Sequence, residues 1–243
     1  MRTILFGAEA SELAPLIERT PELTLVTDDP EIVVCYGGDG TLLSAEAKWP
    51  GVPKVPIRNS RLGNRCIPHP ADQVIDRLVQ RHLSRTAFIK LEGLLRRAGG
   101  EYRPFAVAMN EFNVHMGRIN SAVRFLLTFD NEPYLGGHEI VGDGFVVCTP
   151  FGSTAYFNKI TRGIFHTGLG IAFKSTPDQT DHLVVDDSAT VAVRITRGPA
   201  VLAYDNAGEY VTLEEDDELI IRRHAQPAIL LTWGTVRHPS DAF

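Results

Sequence analysis

Asp39 stands in the run Gly37-Gly38-Asp39-Gly40-Thr41, directly after the apolar stretch Ile32-Val33-Val34-Cys35-Tyr36. Such a stretch reads as a strand buried on both faces. In open α/β sheets, ligands bind beyond the carboxyl ends of the strands. Glycines there let a phosphate approach backbone N–H groups with no Cβ in the way. A helix expected from about Leu42 to Lys48 would turn its positive N-terminal end toward the same phosphates. A carboxylate among phosphates is repelled unless it binds a metal or takes the proton of a hydroxyl, and both roles belong to phosphoryl transfer. An Asp-Gly turn that merely reverses the chain accounts for the same five residues. The run is neither a Walker loop, which ends Gly-Lys-Ser/Thr, nor a dinucleotide fingerprint, which needs a third glycine at fixed spacing.

Two further stretches carry candidate groups. Asn110-Glu111 follows the strand-like Ala106-Val107-Ala108-Met109. A carboxylate at a strand exit accepts bidentately from paired ribose hydroxyls or an amino group; a polar strand end facing water is the plainer account. Gly142-Asp143-Gly144 precedes an apolar run that ends Thr149-Pro150-Phe151-Gly152-Ser153-Thr154-Ala155-Tyr156. Its first three residues also suit a hairpin turn, and Ser153 suits a helix cap. In a ligand pocket, the small residues and Tyr156 would surround a flat base and a ribose.

Taken in this order, the three stretches resemble the NAD kinase family. Members carry Gly-Gly-Asp-Gly-Thr, then Asn-Glu or Asn-Asp, then an Asp-Gly strand leading into Thr-Pro-x-Gly-Ser-Thr-Ala-Tyr. The resemblance covers roughly Glu31 to Tyr156. It implies phosphoryl transfer from ATP, or another phosphate donor, to the adenosine ribose 2′-hydroxyl of NAD. Mg²⁺ would assist, and NAD would be a substrate. By motif, Asp39 resembles the residue that takes the hydroxyl proton. Gly37, Gly38, Gly40 and Thr41 would lie along the donor phosphates. Asn110 and Glu111 would meet the NAD ribose and base, and Thr154, Ala155 and Tyr156 would line the pocket. Asp143 resembles a residue that reaches the nicotinamide amide, often across a subunit contact, and Asp205 falls where the family often has Asp-Gly. The chain departs from the family at Pro56 to Asn64, where Arg58, Ser60 and Asn64 replace Asn, Gly and an aromatic. It departs again at Phe157 to Gly163 and at Asn206. Arg58 could grip phosphate bidentately, or be a solvated loop arginine.

The elements that must hold these groups change character along the chain. Up to about Arg85, short strands (Thr3–Phe6, Leu23–Val26, Glu31–Tyr36, Lys54–Ile57) alternate with helical spacing at Ser11–Ile17 and Ala71–Leu83, as in a parallel α/β sheet. Beyond it, strands are expected at Phe88–Arg97, Tyr102–Met109, Ala122–Phe129, Glu139–Val147, Ala189–Thr196, Ala200–Tyr204 and Glu218–Arg223, separated by glycine turns. The expected architecture is an open parallel-sheet α/β domain over residues 1–85, rejoined by residues 226–243, and a β-rich, sandwich-like domain over residues 86–225.

A chain that is 44% hydrophobic and 22% charged can bury a sizeable core. Its net charge of −6 and scattered basic residues disfavour a nucleic-acid partner. The apolar stretches are too short to span a bilayer, and the start lacks the features of a signal peptide. The 3 cysteines are widely separated, which fits buried thiols in a reducing cytoplasm better than a disulfide or a metal site. No protein-ligated metal is expected. A homo-oligomer, dimer or tetramer, is expected from the place of Asp143. Two other functions remain open: a lipid or small-alcohol kinase, and an NAD-binding sensor without turnover.

Overall fold

The computed structural model describes residues 1–61, 63–177 and 180–234. Leu62 and the end of the returning segment, residues 235–243, lie outside them. The chain divides into two compact units: residues 1–88 with the segment from Pro227, and residues 89–226.

The first unit is built on a six-stranded sheet, and the strand Ile32–Gly37 lies inside it, between Arg2–Phe6 and Lys54–Arg58. These three strands run parallel, as does Thr24–Leu25 at the edge. The returning strand Ala228–Thr232 adds parallel to Lys54–Arg58 and antiparallel to Ser84–Phe88. Val33, Val34 and Cys35 are fully buried, as a doubly covered strand requires. The helices are α1 (Ala14–Glu18), which follows a 3₁₀ turn at Ala10–Leu13, α2 (Asp39–Lys48) and α3 (Ala71–Val79). On α3, Val74, Ile75 and Leu78 share the face that packs with Ile17, Val34 and Val55 in one core. Helix α2 begins three residues earlier than its apolar spacing predicts, because Gly38 is extended at φ −113° and ψ −169° and the helix opens at Asp39.

The second unit is a sandwich of two antiparallel sheets sharing one core that includes Phe112, Phe125, Phe145, Val193 and Leu219. One sheet orders its strands Glu132–Pro133, Val123–Phe129, Val191–Arg197, Glu218–Arg223, Leu91–Arg96 and Arg103–Ala108, with Ile140–Gly142 also paired to Val123–Phe129. The other orders His182–Val185, Leu169–Lys174, Gly144–Cys148, Glu111–Met116, Ala200–Tyr204 and Val211–Leu213. Phe145 and Val147 point into the shared core, while Val146 and Cys148 pack with Phe157 of the short helix α4 (Tyr156–Thr161) on the sheet's outer face. That double burial explains why this strand reads as an unbroken apolar run.

Two expected strands prove to be pairs. Phe88–Arg97 breaks after Phe88, where the chain leaves the parallel sheet for the sandwich. Glu139–Val147 breaks at Asp143, the residue by which the chain changes from one sandwich sheet to the other. Gly142-Asp143-Gly144 is therefore a crossover and not a hairpin. The glycines are needed for close approach: a Cβ would fall 2.6 Å from the Lys174 carbonyl oxygen at Gly142 and 2.1 Å from that of Val114 at Gly144. Gly144 also has φ +126°, which L side chains rarely adopt.

Candidate active site

In the first unit the candidate groups gather at the carboxyl ends of two neighbouring strands. Gly37 stands in register with Arg58, and Asn59 N–H donates to the Gly37 carbonyl at 2.9 Å. The glycines leave room for side chains: a Cβ on Gly37 would meet Thr41 Oγ1 at 2.3 Å, and one on Gly38 would meet Ser60 Oγ at 2.8 Å. Neither glycine has a positive φ, so packing explains them. Gly7, unread in the sequence, belongs to the same cluster, because its Cβ would lie 2.1 Å from the Tyr36 carbonyl oxygen. Gly40 is exposed beside them.

Asp39 occupies the first turn of α2, where a negative charge suits the helix dipole. Its carboxylate accepts the backbone N–H of Arg65 at 2.8 Å on one oxygen and that of Asn64 at 3.2 Å on the other. The Cys66 thiol lies 3.7 Å from the first oxygen. Two accepted bonds fix the carboxylate plane and leave lone pairs for a further donor. Arg58 is half-exposed, its stem lying against Gly63. Burial and the Asp39 charge push the Cys66 thiol up, so this thiol stays protonated.

In the second unit, Met109, Asn110 and Glu111 turn around one side chain. Asp205 accepts their three backbone N–H groups at 2.8, 2.7 and 3.3 Å. Its own N–H donates to the Glu111 carbonyl at 3.1 Å. The Asn110 carbonyl accepts Thr149 N–H at 2.9 Å, and Thr149 Oγ1 donates to the Met109 carbonyl at 2.7 Å. Gly152 packs so closely that a Cβ there would lie 2.4 Å from the Asn110 carbonyl oxygen. Thr149-Pro150-x-Gly152 thus joins the Asn110 turn to the segment bearing Thr154, Ala155 and Tyr156. Ser153 caps nothing: it is buried, with Oγ 2.8 Å from the Pro150 carbonyl and 3.2 Å from that of Phe165. Tyr156 is 55% exposed, leaving its ring open to a ligand.

Glu111 does not face water as a polar strand end would. It is buried, and its Oε2 has no hydrogen-bond partner among the described residues. Desolvation chiefly, with the Asp205 charge, pushes its carboxyl up to about 8, against the pull of Lys174. Lys174 was not legible as a site residue. Its ammonium donates to the Val114 carbonyl at 2.8 Å and to Asn113 Oδ1. Burial brings it down to about 8, while Asp143 and Glu111 hold it up. Asp143 donates its N–H to the Lys174 carbonyl and accepts from Met116 N–H, both at 2.8 Å.

Residues 109–231 match the model of the ATP-NAD kinase C-terminal domain. The NAD kinase of Acinetobacter baylyi is 31% identical over 233 residues, covering 91% of this chain and 74% of that protein. The chain belongs to the NAD kinase family. Another member, the NAD kinase of Chromobacterium violaceum, is 31% identical over 225 residues, covering 89% of this chain and 75% of its own length. The fold is that of NAD kinase family structures: yeast NADH kinase complexed with NADH (TM-score 0.81, 18% identity, 98% of this chain and 75% of that one) and an Archaeoglobus fulgidus NAD kinase in complex with ATP (TM-score 0.77, 19% identity, 97% and 95%). A parallel α/β sheet and an antiparallel β-rich part are thus the architecture of the family, as the sequence led one to expect.

Among the described residues, no group of three or more His, Cys, Asp or Glu side chains is placed to hold a metal. Mg²⁺ is commonly held by one or two carboxylates together with substrate phosphates. The lone Asp39 carboxylate at a glycine-lined helix start fits that mode. The three cysteines are free and buried, and among the described residues no helix is long and apolar enough to cross a membrane.

Proposed function

We propose that this chain is an NAD kinase, transferring the terminal phosphoryl group of ATP to the 2′-hydroxyl of the adenosine ribose of NAD. The observation that carries this reading is Asp39: a carboxylate fixed by two backbone N–H groups at the first turn of α2, beside Gly37, Gly38 and Gly40. A protein that only bound phosphate would gain nothing from an acid there.

In this reading Asp39 accepts the proton as the hydroxyl oxygen bonds to the terminal phosphorus, and the bond from phosphorus to the leaving diphosphate breaks. The backbone of Gly37, Gly38 and Gly40, with Thr41 and the N-terminal end of α2, receives the donor phosphates. Arg58, one strand away, adds a fixed positive charge. Asn110 and Glu111 take the ribose and base. Thr154, Ala155 and Tyr156 line the dinucleotide pocket, and Asp143 meets the nicotinamide amide. Asp205 acts by shaping the Asn110–Glu111 turn. Mg²⁺, when bound with the donor, offsets the charge of the phosphates, and Asp39 is the residue that would meet it.

Residues 1–88 and the returning strand would serve the donor phosphates, and residues 89–226 the dinucleotide. The free, buried cysteines suit a reducing cytoplasm. The place of Asp143 suits a homo-oligomer, dimer or tetramer, whose mass light scattering would read; a monomer of full activity would remove it. The test of the whole reading is NADP formation from NAD, ATP and Mg²⁺. NAD binding with no NADP across several donors would instead make the chain a sensor, and a phosphorylated lipid without NADP would make it a lipid kinase.

A further inference from the structure

The residues that hold the Asp39 carboxylate are pinned from behind. Ile67 forms a parallel bridge with Ile57. Its N–H donates to the Pro56 carbonyl at 2.7 Å, and its carbonyl accepts Arg58 N–H at 3.0 Å. Asn64, Arg65 and Cys66, which come just before it, are thereby laid against the first turn of α2. Each of them gives a donor to Asp39.

The donors are shared unequally between the two oxygens. Oδ1 accepts Arg65 N–H at 2.8 Å and the Cys66 thiol at 3.7 Å. Among the described residues, Oδ2 accepts Asn64 N–H alone, at 3.2 Å. A carboxylate oxygen offers two lone pairs. Both are therefore taken on Oδ1, and one stays open on Oδ2. Burial divides the same way: Cys66 is buried and Asn64 is exposed. Oδ1 is turned toward the inside of the fold, and Oδ2 toward its open side.

Cys66 is the donor that the sequence chooses. Main-chain N–H groups are present whatever the side chains, but this thiol is not. A buried thiol away from cations keeps its proton, so Sγ donates and Oδ1 accepts. A cysteine that merely fills space can settle on a main-chain carbonyl, as Cys35 does on that of Val33 at 3.9 Å. Cys66 instead meets a carboxylate.

We infer that Cys66 is a positioning residue for Asp39: its thiol occupies the second lone pair of Oδ1 and leaves Oδ2 as the oxygen that takes the proton of the ligand's hydroxyl. This rests on the reading of the chain as an NAD kinase. In the step, the hydroxyl proton passes to Oδ2 as the hydroxyl oxygen bonds to the terminal phosphorus, and the bond from phosphorus to the leaving diphosphate breaks. Cys66 touches no reacting atom. It acts by fixing the rotation of the carboxylate.

The experiment has a spectroscopic and a kinetic arm. In the protein free of ligand and metal, the infrared S–H stretch of Cys66 is the band lost in Cys66→Ser. It should rise in frequency in Asp39→Asn, because a neutral amide accepts more weakly than a carboxylate. In the kinetic arm, NADP formation from NAD, ATP and Mg²⁺ gives kcat and the Michaelis constants, and calorimetry gives NAD affinity. Cys66→Val is close to cysteine in size and has no donor. It should lower kcat about tenfold, the cost of a slightly misplaced group, with the Michaelis constants and NAD affinity nearly unchanged. Cys66→Ser restores a donor and should recover most of the loss. A cysteine that only packed would give the opposite order, since a buried hydroxyl is costlier than a methyl group. If Cys66→Val does not fold, Cys66→Ala makes the same deletion. An S–H band unmoved by Asp39→Asn overturns the inference, as does a kcat that Cys66→Ser restores no better than Cys66→Val. A wild type that forms no NADP overturns the kinase reading and the proton step together. The S–H band separates that result from a failure of the Cys66–Asp39 bond.

Discussion

The Asn110 N–H donates to Asp205 Oδ1 at 2.7 Å, although the two residues are 95 positions apart. This bond is the shortest of the three by which one carboxylate gathers Met109, Asn110 and Glu111 into a turn. Asp205 is held at φ +43° to do so, a conformation Asp and Asn adopt more readily than most residues.

Removing the clamp should be costly. Hydrogen bonds to charged groups contribute about 1.5–3 kcal/mol each, and not additively, so Asp205→Ala should lower the unfolding free energy by roughly 2–4 kcal/mol. Asp205→Asn keeps one good acceptor and tolerates the backbone, and should lose less. Denaturant titration measures both. An unchanged midpoint in Asp205→Ala would show that the turn holds without it.

Asp39→Asn should retain NAD binding and lose about 10²- to 10⁴-fold in turnover, the usual worth of a general base. The substitution also turns an amide NH₂ toward one of the two N–H donors, Asn64 or Arg65, so a small loss of stability accompanies it. Turnover at saturating substrates, across a range of Mg²⁺, separates the roles. Rescue by Mg²⁺ would make Asp39 a metal ligand, and near wild-type turnover would remove it from the chemistry.

Arg58→Ala should raise the Michaelis constant for ATP or NAD by more than about tenfold, near 1.4 kcal/mol. Unchanged constants for both would make Arg58 a surface residue whose stem merely covers Gly63.

Stability should depend on pH through Glu111. Its carboxyl rises from 4.5 in the unfolded chain to about 8 in the fold. The folded state therefore holds the proton more tightly, and the group's contribution is full below pH 4.5 and lost as pH rises through about 8. Lys174 acts oppositely. It is lowered from 10.5 to about 8, so its contribution is present above pH 10.5 and lost as pH falls through about 8. Glu111→Gln should therefore gain stability relative to the wild type between pH 5 and 8, measured by thermal unfolding at each pH. A constant difference across that window would contradict the shift.

Much of the first unit was legible because local chemistry decides it. An apolar strand followed by three glycines and an acid reads as a strand end whatever surrounds it. The other half depended on register. Glu111–Met116 alternates Glu111, Asn113 and His115 with Phe112 and Val114, as a half-buried strand does, but the polar pair Asn110-Glu111 reads as the exit of the strand before it. Lys174 becomes informative only once Gly144 is known to lie beside it. Asp205 was legible as a position of interest, but its carboxylate is committed to the backbone, a use that residue type alone cannot reveal. Asp143 looked like part of a hairpin because the change of sheet happens within a single residue.

The strand Ala228–Thr232 fills a slot between Lys54–Arg58 and Ser84–Phe88. A chain leaving the ribosome from its N-terminus makes both walls of that slot long before the strand that fills it. Until then Ser84–Phe88, whose partner is this returning strand, has nothing to pair with. Residues 89–226 are complete before the sheet of the first unit can close. Domains usually fold in order of synthesis; here the first unit made must be the last one finished, and its open edge is the part of the nascent chain most in need of protection from aggregation.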